Sequence, residues 1–150
     1  MIKMYAIFCR ETLSQMKFEG KLAAQAGHAY LHAWWDAEDR TNSEHEEAPG
    51  FLGYDYCDTM DDYRNGDDAR KIALVVDTVQ DLEHLYELYK PYMGATIVDD
   101  CGYTVFECTT TTAVGLGPVN DEWFREDGHS QLLKSLYTLR NEIHRNANSA

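Results

Sequence analysis

The sequence contains no long hydrophobic run, although 44% of its 150 residues are hydrophobic. The longest apolar stretches, such as residues 72–76, are far shorter than the roughly 20 residues that a membrane-spanning helix needs. Charged residues also interrupt the first 13 positions, where a signal peptide would need a continuous apolar stretch. The sequence therefore predicts a protein that is neither membrane-embedded nor exported, with a cytoplasmic location.

Cysteine is sparse and forms no metal-binding or disulfide pattern. No two of the four cysteines have C-x-x-C spacing: Cys9, Cys57, Cys101 and Cys108. The single pair of histidines at helical spacing, His28 and His32, has no third metal ligand nearby in the sequence. A chain of this length buries enough surface to fold without such cross-links. We therefore expect one domain over residues 1–150, with no metal and no cofactor.

Basic residues are scarce, and the acidic excess is concentrated in one segment. The chain has 13 basic and 26 acidic residues, for a net charge of −13. Residues 36–68 carry −10 of that charge, which leaves only −3 for the rest. We therefore expect an acidic insertion at about residues 39–68, outside the core, whose surface would suit a basic protein partner. The remaining surface can still bind nucleic acid.

Hydrophobic periodicity predicts strands that alternate with helices. Short apolar and β-branched runs predict strands at residues 3–9, 71–77, 95–98 and 110–116, the last of which Gly117-Pro118 should stop. Apolar residues at helical spacing predict helices at residues 20–36, 79–89 and 120–140. Residues 78–81 resemble a capping box at the start of the second helix. The insertion shows one short element near residues 51–56. This order predicts an α/β fold with helices covering one sheet.

Two polar clusters in this pattern could carry chemistry. Lys21, Gln25 and His28 share one stripe of the first helix, because they fall at positions i, i+4 and i+7. Asp99 and Asp100 follow a predicted strand, at the kind of strand end where ligands bind in open α/β sheets. Each cluster also has an ordinary structural explanation, the solvent side of a helix and a side-chain-stabilised turn. Spacing alone leaves both explanations open.

Together the clusters resemble the type II peptidyl-tRNA hydrolases. The resemblance rests on GKLAAQAGHA at residues 20–29, DCGYT at 100–104, TTT at 110–112 and GLGP at 115–118. It covers most of the chain except residues 39–68 and the tail. It implies a three-layer α/β/α sandwich with a four-stranded mixed sheet, often homodimeric. It also implies an activity, hydrolysis of the ester between a peptide and the 3′ end of tRNA.

The resemblance also implies the site residues. The catalytic residues would be Lys21, Asp100 and Thr112, and the substrate-binding residues would be Gln25, His28, Tyr103, Thr104 and Thr110. The lysine, helped by Thr112, would stabilise the oxyanion that develops on the ester, and Asp100 would orient the attacking water. Tyr103 stands where the family pattern has arginine, and its ring can stack on a base or ribose.

No serine or cysteine lies in a nucleophile motif such as G-x-S-x-G, so we expect direct attack by water. Two other functions remain open. One is a non-catalytic binding module of the same fold, for which the acidic segment and Tyr103 are the motivation. The other is an enzyme that cleaves a smaller ester or amide, because a fold does not fix its substrate.

Overall fold

The computed structural model describes residues 1–16, 19–42, 54–67, 69–100, 109–122 and 137–138. In chain order the elements are β1 (Ile2–Cys9), α1 (Arg10–Leu13), α2 (Glu19–Thr41), α3 (Tyr54–Asn65), β2 (Arg70–Val76), α4 (Val79–Tyr89), β3 (Ala95–Asp100), β4 (Thr110–Asn120) and β5 (Tyr137–Thr138). No helix in these ranges is both long and apolar enough to cross a membrane.

The strands form one mixed sheet in the order β3-β4-β1-β2-β5. The central strand β1 runs parallel to β2 and antiparallel to β4, and β3 pairs antiparallel with the outer side of β4. The parallel pairing of β1 with β2 requires a long crossover, which contains α2 and α3. Four long strands thus form the sheet that the resemblance implies. The two residues of β5 add a short fifth strand beside β2.

Alternate residues of β1 face two different helical layers. Ala6 and Phe8 pack in a cluster with Ala29 of α2, whereas Ile7 packs with Leu85 of α4. This alternation is what a strand covered on both faces requires. The predicted three-layer α/β/α sandwich is confirmed.

The start of α4 matches its sequence signal closely. Thr78 Oγ1 accepts a hydrogen bond from the Asp81 backbone N–H at 3.1 Å, and Asp81 Oδ2 accepts one from Thr78 N–H at 3.1 Å. The backbone N–H of Val79 also donates to Glu11 Oε2 at 2.8 Å. These bonds satisfy backbone N–H groups that a helix start leaves without a partner inside the helix. Helix α4 begins where the sequence predicts, and it also ends at the predicted residue.

Three predicted boundaries were wrong. Helix α2 continues to Thr41 instead of ending near residue 36, because Ala37 extends its buried stripe. Strand β4 does not stop at Gly117-Pro118, since Val119 pairs with Lys3 of β1 beyond it. The helix predicted at residues 120–140 is wrong near both of its ends, because Asn120 belongs to β4 and Tyr137–Thr138 form β5. Residues 123–136 and 139–140 of that predicted helix lie outside the described residues.

The acidic segment contributes to the core, contrary to the expectation that it lies outside. Its helix α3 buries Tyr56, Met60 and Tyr63, which recur at helical spacing among the acidic residues. The buried Tyr56 hydroxyl donates to the Pro118 carbonyl oxygen at 2.7 Å and accepts from Gly94 N–H at 2.8 Å. Burial also raises the pKa of Tyr56. The Tyr56 side chain therefore links α3 to Gly94, directly before β3, and to Pro118 in β4.

Candidate active site

Lys21 and Asp100 meet where the start of α2 crosses the end of β3. Lys21 is the third residue of α2, Asp100 is the last residue of β3, and Lys21 Nζ donates to Asp100 Oδ2. The side chains are 16% and 6% exposed, so both charges are largely withdrawn from water. Attraction between opposite charges is stronger in such surroundings than in bulk water. The pair holds an ammonium and a carboxylate together at the edge of the sheet.

Gln25 and Thr112 form a second contact one helical turn further along α2. Thr112 Oγ1 donates to Gln25 Oε1 at 3.0 Å and lies 3.2 Å from the Val98 carbonyl oxygen. Both side chains are buried. A hydroxyl has one proton to donate, and both of these acceptors lie inside the protein. The Thr112 hydroxyl is therefore directed at Gln25 and β3.

A β-bulge turns Thr112 toward α2. In the pairing of β3 with β4, Val98 faces Ala113 and Asp99 faces Thr111, which leaves Thr112 as the extra residue. Regular alternation would place Thr112 on the same face as Val114, which packs with α4. The bulge instead puts Thr112 and Ala113 on the α2 side, as bulges near functional sites commonly do.

A glycine sets how closely α2 approaches β4. A Cβ atom on Gly115 would lie 2.0 Å from the Ala29 carbonyl oxygen, so only glycine fits beneath the helix. Ala29 is one turn after Gln25 on α2. This close contact between the two backbones therefore fixes the distance between α2 and β4, and with it the position of Gln25 beside Thr112.

The other predicted site residues are placed less directly. His28 is exposed on α2, and its ring centroid lies 5.4 Å from that of His32. Thr110 is half-buried and faces Asp100 across the β3–β4 pair. Tyr103 and Thr104 lie outside the described residues. In the described part of the chain, no three histidine, cysteine or acidic side chains converge as a metal site.

Sequence reasoning missed two parts of this arrangement. It assigned Thr112 to help Lys21 at the oxyanion and did not anticipate the hydrogen bond that the threonine hydroxyl donates to Gln25. It also missed the role of Val98, whose carbonyl oxygen lies beside the same hydroxyl. A backbone acceptor has no sequence signal, and the threonines at residues 109–112 do not show which one occupies the bulge.

The sequence model of the family described as peptidyl-tRNA hydrolase PTH2 matches residues 2–131. The chain belongs to this family. It therefore shares the family with which the sequence motifs suggested a resemblance, and the match includes α2, β3 and β4, which together form the site.

A curated relative supports the assignment. The peptidyl-tRNA hydrolase of Methanocaldococcus jannaschii is 30% identical to this chain over 118 residues. The aligned region covers 77% of this chain and 88% of the relative. The similarity therefore extends over nearly the whole relative and is not confined to one motif.

Proposed function

We propose that this protein hydrolyses the ester bond between a peptide and the 3′ end of tRNA, by direct attack of water. The observation that carries the proposal is the convergence of Lys21 with Asp100, and of Gln25 with Thr112, where α2 crosses β3 and β4. Membership of the peptidyl-tRNA hydrolase PTH2 family supports the substrate class.

The lysine supplies positive charge for the oxyanion. When water attacks the ester carbonyl, negative charge develops on the carbonyl oxygen, and the Lys21 ammonium is preorganised to stabilise it. Asp100 keeps that ammonium in place through the hydrogen bond it accepts. Removing one such oxyanion donor typically lowers turnover by about 10²–10³-fold.

Asp100 moves the proton in this mechanism. Its carboxylate accepts a proton from the attacking water as the new carbon–oxygen bond forms. The tetrahedral intermediate then collapses, the bond to the ribose 3′ oxygen breaks, and that oxygen takes the proton back from Asp100. The products are tRNA with a free 3′ hydroxyl and a peptide acid, which then releases its proton to solvent and becomes a carboxylate. No covalent enzyme intermediate is needed.

Gln25 and Thr112 have different roles in the proposal. Because Gln25 Oε1 accepts from Thr112, its Nε2 is turned the other way, and Nε2 donates no hydrogen bond to a described residue. Nε2 would donate to the substrate carbonyl beside Lys21. Thr112 is then a positioning residue that acts through Gln25, and not itself an oxyanion donor.

We also propose substrate contacts for the remaining predicted residues. His28 and Thr110 would contact substrate because they lie on the same helix stripe as Lys21 and opposite Asp100, respectively. Tyr103 and Thr104 are assigned by the resemblance alone. A homodimer, a cytoplasmic location and a basic partner at the acidic surface of α3 stay predictions from the sequence.

The test is release of an N-acetylated amino acid from tRNA by the purified protein. We expect the products to be the free N-acetylated acid and intact tRNA, with one oxygen of the carboxylate derived from labelled solvent water. A minimal N-acetyl amino acid ester without tRNA should react far more slowly. The proposal fails if the protein is folded, as judged by a cooperative thermal transition, and releases no acid from the tRNA substrate.

A further inference from the structure

A ladder of aromatic rings extends along α2 beyond the site, exposed at His28 and Trp35 and half-buried at His32. The rings of His28 and His32 are 5.4 Å apart and tilted, and those of His32 and Trp35 are 5.2 Å apart with only 18° between their planes. Trp35 is 50% exposed, which leaves much of its apolar surface in water. Tryptophan is enriched at binding interfaces, and the half-exposed Trp35 ring, held in place by its stacking on His32, offers a free face to a ligand.

The ladder continues the stripe that carries the site residues. His28 and His32 follow Lys21 and Gln25 at helical spacing, so all four lie on one side of α2. With a rise of about 1.5 Å per residue, His28 is about 10 Å along the helix axis from Lys21, and Trp35 about 21 Å. A chain-like ligand that reacts at Lys21 can therefore lie along the ladder.

We propose that His32 and Trp35, together with His28, bind the unpaired bases at the 3′ end of the substrate tRNA by stacking. This inference rests on the proposed function, which requires that the 3′ end reach Lys21. Every base presents a planar face, so aromatic side chains can hold a single strand without reading its sequence.

Stacking also suits the charge of this protein. Most nucleic-acid binding depends on lysine and arginine at phosphates, but this chain has a net charge of −13. The ladder is followed one turn later by exposed Asp39, which would repel a phosphate there. Binding through the faces of the bases needs no such cations, and the RNA backbone would leave the helix before Asp39.

Leu31 provides a matched control on the same helix. It is 45% exposed, similar to Trp35, but lines a separate groove of about 760 Å³ together with Tyr30 and Trp34. Truncation of either exposed side chain removes little packing, so both variants should fold. A loss of RNA binding confined to the Trp35 variant would therefore reflect contact with RNA.

The experiment compares wild type, Trp35→Ala, Trp35→Phe, His32→Ala and Leu31→Ala. Unacylated tRNA and the same tRNA trimmed of its unpaired 3′ nucleotides are titrated, with binding followed by tryptophan fluorescence and by filter retention. One stacked base contributes about 1–3 kcal/mol, so Trp35→Ala should weaken intact tRNA binding about 5- to 150-fold. Trp35→Phe should bind within a few-fold of wild type but lose the fluorescence quench.

With acylated substrate, Trp35→Ala should raise KM and leave kcat nearly unchanged, while Leu31→Ala matches wild type. The inference is overturned if intact and trimmed tRNA bind wild type equally well, or if Trp35→Ala and Leu31→Ala bind alike. It is also overturned if Trp35→Ala converts a dimer to a monomer, because the ladder would then be a subunit interface. Binding that depends on Trp35 without any hydrolysis would support the inference and contradict the proposed function.

Discussion

Lys21 provides the positive charge beside Asp100, whose carboxylate the fold withdraws from water. Asp100 is 6% exposed, and the lysine ammonium donates to it from α2. Breaking a buried ion pair by removing one partner typically costs about 3–5 kcal/mol. Lys21 is therefore both a proposed catalytic group and a contributor to stability. The helical pattern of the sequence alone indicates only a solvent-facing lysine at this position.

Thr112→Val should show whether turnover depends on the hydrogen bond from the Thr112 hydroxyl to Gln25. Valine keeps the volume of threonine but removes the hydroxyl that donates to Gln25, so the amide loses its orientation. A misplaced catalytic group of this kind typically lowers kcat by up to about 100-fold. We expect kcat to fall, KM to change little and Thr112→Ser to restore activity, in single-turnover assays with acylated tRNA. Wild-type kcat in the valine variant would exclude the positioning role.

Asp121 should make stability sensitive to acid in a narrow range. Burial opposes its ionisation, but hydrogen bonds from Lys3 and the N-terminal ammonium outweigh burial and lower its pKa to about 2. An unperturbed aspartate has a pKa of about 3.9, so this contribution is complete above pH 4 and lost as the pH falls toward 2. Denaturant unfolding across that range should show a shallower loss for Asp121→Asn. Parallel pH profiles for the two proteins would contradict the assignment.

Among the helices and strands, the contact between α2 and β4 determines where Gln25 lies relative to Thr112. Gly115→Ala would place a Cβ atom 2.0 Å from the Ala29 carbonyl oxygen, so the helix must move away from the strand. Overpacking of this kind costs about 1–3 kcal/mol or more. We expect a lower Tm and a large loss of kcat, because Gln25 and Thr112 would separate.

Gly27→Ala is the matched control for this variant. Nothing lies within 4 Å of a Cβ atom on Gly27, which is also in α2. Alanine should therefore stabilise the helix by up to about 1 kcal/mol and leave activity intact. If both alanine variants keep wild-type kcat, the close approach of α2 to β4 does not position the site.

Local signals predicted the elements well, and long-range packing decided the rest. The capping box at residues 78–81 and the apolar run of β2 depend on neighbouring residues, and both were found where expected. The burial of α3 depends on tyrosines such as Tyr56, whose hydrogen-bond partners, Gly94 and Pro118, are distant in sequence. The acidic residues around those tyrosines made the segment look like an exposed insertion.

The candidate site likewise combines features set by local sequence with features set by long-range packing. Helical spacing predicted that Lys21 and Gln25 share one stripe, and the motifs of the family pointed to Asp100 and Thr112. The bulge that turns Thr112 toward Gln25 was not predictable, because it arises from the register between two strands. That register changed the proposed role of Thr112 from oxyanion donor to positioning residue.

At the scale of the whole molecule, the acidic charge should oppose substrate binding. Asp58, Asp61 and Asp62 are exposed on α3, so neutralising them removes charge without disturbing the buried side of the helix. The triple asparagine variant should bind tRNA several-fold more tightly at low salt, because a weaker negative field speeds encounter. The difference should shrink as salt shortens the screening length to about 8 Å near 0.15 M. Equal affinities at low salt would show that this field does not affect binding.

Replacing all of residues 43–62 by a flexible linker is a different experiment. That change removes Tyr56 and Met60 from the core together with the hydrogen bonds of the tyrosine hydroxyl. Loss of buried large side chains costs several kcal/mol each, comparable to the stability of a whole domain. The linker variant should therefore unfold, and only the substitutions on the exposed face test the electrostatic effect.

The role of the Lys21 ammonium is tested by measuring peptidyl-tRNA hydrolysis and folding stability together for wild type, Lys21→Arg and Lys21→Ala. Arginine keeps a cation beside Asp100 but presents its charge in a planar fork instead of a compact ammonium. We expect Lys21→Arg to retain a Tm close to wild type and to lose about 10²–10³-fold in kcat, the effect typical of one oxyanion donor. Lys21→Ala should lose both activity and stability. Wild-type turnover in a well-folded Lys21→Arg or Lys21→Ala protein would contradict the proposal that this ammonium stabilises the oxyanion.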